Sequence, residues 1–331
     1  MYMKSTNINL PVIQETEQAD IKELVFPTGK PHISYSELFD WIECSWRHKL
    51  KHIDKLNFDG PTVHTEFGQV IHDAMEDYLN LSVESRSPIN PGPYQQAFML
   101  KYDALPRLED QAEQKKLDDM SVEFHNAMPK LLFDAPKWLD ETFPGWVTVA
   151  TEDLLYEKIP GQEDVSFKGF VDAFIKVPKR RKKRKPKVAS AKAKGLRLSD
   201  IVQEEESAEY EEVPGQWEYY VLDWKTSGWG WTADKKRDFN KQLQIMLYKI
   251  FYCQKMNLNY KDIKCGFVLL KRKPTKTGSH CELVPVSVGP KSFEKALATV
   301  NSMVNQVKKG RVVKNRWSCK YCRFANTEHC M

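Results

Sequence analysis

The chain has 331 residues, 41% hydrophobic and 29% charged, which excludes global disorder and leaves room for one large domain or two ordinary ones. No apolar run is long enough to span a bilayer, and the N-terminus lacks the basic, apolar and small-residue pattern of a secretory signal, so an intracellular, cytoplasmic protein is expected. The net charge of +5 is unevenly placed: Pro178 to Arg197 carries eleven Lys or Arg and no acid, and removing those charges leaves the remainder at −6. A basic nucleic-acid groove therefore has to be built locally.

Residues 1–30 show no periodicity and are expected to form an arm. Ser34 and Glu37 have the spacing of a capping box and open a helix with Leu38, Trp41, Ile42 and Leu50 on its apolar face. A second helix, from about Thr65 to Leu81, carries Phe67, Val70, Ile71, Ala74, Met75, Tyr78 and Leu79 at helical spacing. Gly68, His72 and Glu76 stack along one edge of that stripe. The stretch 82–140 reads as a mostly helical insertion with a loop near Ser87 to Pro93.

Strand patterns follow at Trp146 to Tyr156, which contains Glu152, and at Val165 to Val177, which contains Gly169-Phe170-Val171-Asp172. Residues 178–214 are basic and then acidic, with too few apolar groups for a core, and read as a flexible, DNA-contacting insertion. The basic run 179–187 also has the composition of a nuclear-localisation signal, which keeps a nuclear alternative open. A strand at Trp217 to Lys225, a helix at about Lys236 to Met256, strands near Lys264 to Lys271 and Glu282 to Val288, and a helix at about Pro290 to Lys309 complete the body. This order predicts a single α/β domain over 31–331 with a mixed central sheet flanked by helices.

The chemistry concentrates in the sheet. Asp223 and Lys225 share one side of a strand, because side chains alternate. Asp172, Asp223 and the backbone carbonyl of Trp224 form an oxygen-rich set suited to Mg²⁺ or Mn²⁺, and His72 as a nitrogen ligand tilts the preference toward Mn²⁺. Lys225 is placed to orient a water or stabilise developing charge. Gln244 and Tyr248 stand one turn apart on the following helix, with Gln242 a rival for the first role. Taken singly, His72 reads as a core-edge histidine and Asp223–Lys225 as a surface ion pair; together with Asp172 they read as a metal site.

Seven cysteines, an odd number, argue against a disulfide framework. Three of them, Cys319, Cys322 and Cys330, crowd the last thirteen residues, within the tail 317–331, and point to a metal or cluster site. Cys253, Cys265 and Cys281 read as ordinary small residues.

The order His72, Gly169-x-x-Asp172, Asp223-x-Lys225, Gln244-x-x-x-Tyr248, with Glu152 upstream, resembles the RecB-type branch of the PD-(D/E)XK nucleases. Cys44 with Cys319-x-x-Cys322 and Cys330 resembles its iron–sulfur subgroup, which includes the AddB nuclease domain, CRISPR-associated RecB-like exonucleases and exonuclease V. The resemblance implies a restriction-endonuclease-like core and a [4Fe–4S] cluster clipping the N-terminal helix to the C-terminus. It implies metal-dependent hydrolysis of DNA, often single-stranded and from an end, in recombination, repair or degradation. Four thiolates suit a structural Zn²⁺ as well. Two other functions stay open, a DNA-binding or adaptor subunit without turnover and a structure-specific endonuclease. A helicase or recombination partner is expected, since no Walker A loop is present.

Overall fold

The computed structural model describes residues 26–56, 60–182, 210–274 and 278–331. Most of the expected N-terminal arm (1–25) and most of the charged insertion (183–209) lie outside the described residues.

Three residues too short to carry a periodic signal, His32–Ser34, form strand β1. Helix α1, Tyr35–Glu43, follows, and the Ser34 side chain accepts the Glu37 N–H as its cap. The reciprocal half of the expected capping box is not made, because Glu37 turns inward to His48, 3.1 Å away. The chain breaks at Cys44, which is extended at φ −165°, then resumes as α2, Ser45–His48, and a π-helical turn, Lys49–Ile53. The single helix expected through Leu50 is thus cut in two, with Cys44 at the cut. Helix α3, Val63–Leu79, starts slightly before the expected Thr65 because Thr62 caps it, and the whole predicted stripe is buried.

Helices α4, Gly92–Asp103, and α5, Gln111–Thr142, account for most of the expected helical stretch. Strands β2, Val147–Lys158, β3, Ser166–Lys182, and β4, Tyr210–Ser227, come next. The two long strands run on into the segment read as an insertion: Arg180 pairs with Glu212 and Arg181 with Glu211 across the ladder, with ion pairs of 3.2 and 2.7 Å. The basic-then-acidic charge order, taken as a sign of an irregular segment, here zips a hairpin.

The helix expected at 236–256 is split at Asp238 into α6, Ala233–Arg237, and α7, Phe239–Met256, because the Asp238 carboxylate caps the second piece through the Asn240 N–H. Strands β5, Ile263–Lys271, and β6, Cys281–Val286, precede α8, Pro290–Lys308, and a last 3₁₀ turn, Arg316–Tyr321.

The six strands form one mixed sheet in the order β1-β3-β4-β5-β6, with β2 on the other edge of β3. β4 and β5 are parallel, as are β1 and β3, and the other pairs are antiparallel. One face packs Phe167, Phe174, Val221 and Phe267 against α7 and α8; the other packs Leu222, Trp224, Val268 and Leu270 against α3 and α5. One detail of pairing positions the site. A single edge of β3 bonds β1 over Ser166–Lys168 and β4 from Ala173 onward, so Gly169–Asp172 lie between the two ladders.

Phe67 is fully buried on α3 between Phe98 and Phe124. Phe67→Ala is expected to lower unfolding stability by about 3–5 kcal/mol, measured by urea denaturation; a loss under about 1 kcal/mol would mean that α3 is not anchored by this cluster.

Candidate active site

The β3–β4 register ends at Ala173 opposite Leu222. Continued one step, it sets Asp172 opposite Asp223, where the ladder opens. In place of a strand bond, the Trp224 N–H donates to Asp172 Oδ2 at 2.7 Å. Asp223 is 1% exposed, and the Lys225 ammonium, with Nζ 2.6 Å from Asp223 Oδ2, is that oxygen's partner. The same-side placement expected of Asp223 and Lys225 is therefore present as an ion pair.

Two buried carboxylates side by side disfavour full ionisation. Burial, then the charge of Asp223, pushes the Asp172 carboxyl well above the usual carboxylate range, against the pull of Lys225 and the Trp224 N–H. Burial works against the charge of Lys225, but Asp223 and Asp172 outweigh it and raise its pKa, so the ammonium is held.

α3 brings His72 to the same place, with Nδ1 3.5 Å from Asp172 Oδ2 and a backbone hydrogen bond to Trp224. Burial, assisted by Lys225, lowers the His72 pKa and favours the neutral ring that a metal needs. β2 adds Glu152. It stands across from Asp172 between the Thr151–Ala173 and Asp153–Val171 pairs, with φ +43°, a conformation rarely taken by a non-glycine residue in a strand. Such strain concentrates at functional sites, and here ligand atoms of Glu152, His72 and Asp172 all lie within 4.8 Å of one another. Burial, then Glu76, raises the Glu152 pKa.

Gln244 and Tyr248 meet as expected, the amide donating to the phenol oxygen at 3.2 Å. Burial and then Asp223 push the Tyr248 phenol upward. Gln242 does not join them, because its amide donates to the Lys236 carbonyl at 2.6 Å and closes the α6–α7 corner. Gly169 is required by this packing: a Cβ there would sit 2.8 Å from a Tyr248 ring carbon. At Gly68 a Cβ would meet Thr226 Oγ1 at 3.4 Å, which brings the N-terminal half of α3 against the end of β4.

Sequence reasoning missed two neighbours. Burial and then Asp223 raise the pKa of Tyr35, whose hydroxyl donates to the Asn240 carbonyl at 2.8 Å. Glu76 reinforces the negative charge around Glu152; its position one turn after His72 was a signal for it. Of the three tryptophans at the end of β4 and just beyond it, Trp224 is buried and Trp231 is half-buried against Phe267 at 5.0 Å. Trp229 is 74% exposed, with Lys273 4.4 Å from its ring.

The fit to a divalent cation is physical. Asp223 offers an oxygen whose partner is the Lys225 ammonium; Asp172 and Glu152 are uncomfortable together, and His72 is held neutral. A cation among His72, Glu152 and Asp172, whose ligand atoms lie within 4.8 Å of one another, relieves the last two conditions; Asp223 is not within that group.

A family model for the PD-(D/E)XK nuclease superfamily matches residues 32–194 and 211–327. The chain belongs to the PD-(D/E)XK nuclease superfamily. No curated protein matches it. The mixed sheet flanked by helices agrees with the restriction-endonuclease-like core of this superfamily, whose nucleases use divalent metals and act on DNA.

The four candidate cluster cysteines of this nuclease line one cavity of about 440 Å³. The tail reaches it through Asn315 and Ser318, which both donate to the Glu43 carbonyl at 2.8 Å, and Trp46 donates to the His329 carbonyl at 3.1 Å. Burial, then Cys319, Cys322 and Cys44, raise the Cys330 thiol pKa. Cys253, Cys265 and Cys281 are buried elsewhere in the body of the fold.

Gly169→Ala is expected to cost about 1–3 kcal/mol by overpacking, and less in a Tyr248→Leu background. Thermal unfolding of the two single variants and the double variant measures this; an undiminished cost in the double variant would clear Tyr248 as the obstacle.

Proposed function

We propose that the chain is a metal-dependent DNA exonuclease that acts on single strands from an end, in recombination, repair or degradation. The observation that carries the reading is the buried Asp172–Asp223 pair at the open end of the β3–β4 ladder, with Lys225 held as an ammonium beside it. Asp172, Asp223, His72 and the Trp224 carbonyl are the groups proposed to hold Mg²⁺ or Mn²⁺, with Glu152 close to two of them, His72 and Asp172. The cation supplies Lewis acidity to the scissile phosphate.

The remaining steps belong to the chain. Lys225 orients the attacking water and faces the negative charge that builds in the transition state. Gln244, fixed on Tyr248, orients Lys225, the water or the strand backbone. Exposed Trp229, with Lys273 beside it, offers a face on which a base stacks.

The proposed organisation is one nuclease domain over 31–331, with the N-terminal arm, the helical insertion at 82–140, the charged insertion at 178–214, whose described ends belong to β3 and β4, and the cysteine tail as appendages. The tail is proposed to hold a [4Fe–4S] cluster through Cys44, Cys319, Cys322 and Cys330. The choice of this cluster over a structural Zn²⁺, which four thiolates also suit, rests on the resemblance to the iron–sulfur subgroup. The cluster's role is structural and DNA-guiding.

The reading is tested by digesting end-labelled single-stranded DNA with Mg²⁺ or Mn²⁺. Wild type is expected to release the label. Asp223→Ala and Lys225→Ala are expected to lose activity by about a hundredfold or more while still binding DNA. Normal cleavage by Lys225→Ala would contradict the site assignment. Cleavage of circular single strands would point to an endonuclease, and DNA binding without cleavage by wild type to an adaptor.

The cluster is tested separately. Anaerobically purified protein is expected to contain iron and sulfide, and Cys44→Ala to lose both and melt earlier. Stoichiometric zinc without iron would overturn the assignment.

A further inference from the structure

Lys249, one residue past Tyr248 on α7, is only 6% exposed. Among the described residues it makes no ion pair and no hydrogen bond. Its charge is felt by the buried thiols of Cys253, on the next turn of α7, and Cys265, on β5. A buried ammonium without a counterion is unfavourable unless solvent or an anion reaches it.

The ammonium has somewhere to point. Lys249 lines a cavity of about 610 Å³ at the end of the sheet where β5 begins. Lys261 and Lys264 line it too, and no carboxylate does. Lys264 is partly neutralised by Glu218 at 2.7 Å, outside the lining. Helix α8 starts at the rim, where its N-cap Gly289 provides no side-chain cap for the first-turn N–H groups. A 19-residue helix presents positive potential there. The walls are otherwise apolar, from Ile263, Val286 and Val288, with Tyr260 beside them; the Tyr220 ring packs on Phe143, at 4.8 Å, on the other face of the sheet. None of Asp172, Asp223, Lys225 and His72 lines the cavity, which is therefore separate from the carboxylate site.

We propose that this cavity is a second ligand site, which binds a phosphate monoester carried on a compact planar body, such as a nucleoside monophosphate. The dianion matches Lys249, Lys261 and the α8 N-terminus, and the planar body lies between Tyr260 and the apolar wall. The volume fits this class, since small-ligand pockets run from about 300 to 1,000 Å³. A bare phosphate satisfies the charges and leaves most of the cavity unfilled. The inference does not depend on the chain being an active nuclease.

Calorimetric titration of the full chain with dAMP and with inorganic phosphate, without divalent metal, tests it. Saturable dAMP binding is expected in wild type and, unchanged, in Asp223→Asn, with inorganic phosphate weaker at the same site. Lys249→Met is expected to weaken both by about ten- to a hundredfold, as for loss of a charge-assisted hydrogen bond. Lys261→Ala, at an exposed position that leaves folding intact, is expected to move affinity in the same direction and carries the test if Lys249→Met does not fold. No binding of either ligand at millimolar concentration would overturn the proposal, as would equal binding by the lysine variants, or binding abolished by Asp223→Asn and not by them. Phosphate binding as tight as dAMP would remove the planar body from the ligand class and so overturn that part.

Discussion

Two acidic side chains placed face to face in a nearly dry part of a sheet set the terms for everything around them. Asp172 and Asp223 meet one step beyond the last paired residues of β3 and β4. Their mutual repulsion is offset by Lys225 at 2.6 Å and by the Trp224 N–H at 2.7 Å. An arrangement of this kind persists only when the surrounding fold over-determines it. Here β3 supplies that constraint: it is bonded by β2 along one edge and by β1 and β4 in turn along the other, with the carboxylate at the gap between ladders. The same gap lets α3 bring His72 in from one layer while Tyr248 closes over Gly169 from the other.

The parts of this site that depend on local rules were legible in the sequence. Strand alternation puts Asp223 and Lys225 on one side, and helical spacing puts Gln244 beside Tyr248; both placements rest on a fixed period. The buried stripe of α3 was legible for the same reason. The parts that depend on tertiary pairing were not. Glu152 reaches His72 and Asp172 only through a backbone turn of φ +43° inside β2, which no periodicity signals. Tyr35 approaches Asp223 across most of the chain, and Gln242 is drawn away by a capping bond formed only when α6 and α7 are folded. The hairpin of β3 and β4 was hidden because charged residues on an exposed ladder look like an irregular segment until their register is known.

The C-terminal tail is a second constraint of a different kind. It contributes almost no apolar core, apart from Phe324, and is tied to the α1–α2 corner by hydrogen bonds to Glu43 and by the contact of Trp46 with His329. The break at Cys44 is what turns a thiol toward that tail; a continuous helix there would have carried the side chain round the cylinder with the rest of α1. The distant pairing of one cysteine with three others thus has a local cause in the extended backbone of one residue.

The central claim is that the opposed carboxylates exist to share a divalent cation. Titrating Mn²⁺ into the DNA-free protein, with free Mn²⁺ followed by electron paramagnetic resonance, addresses this directly. The account predicts at least one bound ion per chain in wild type, lost in Asp172→Asn/Asp223→Asn with the fold intact by circular dichroism. Equal Mn²⁺ binding by the two proteins would contradict it and leave the buried acid pair without a reason.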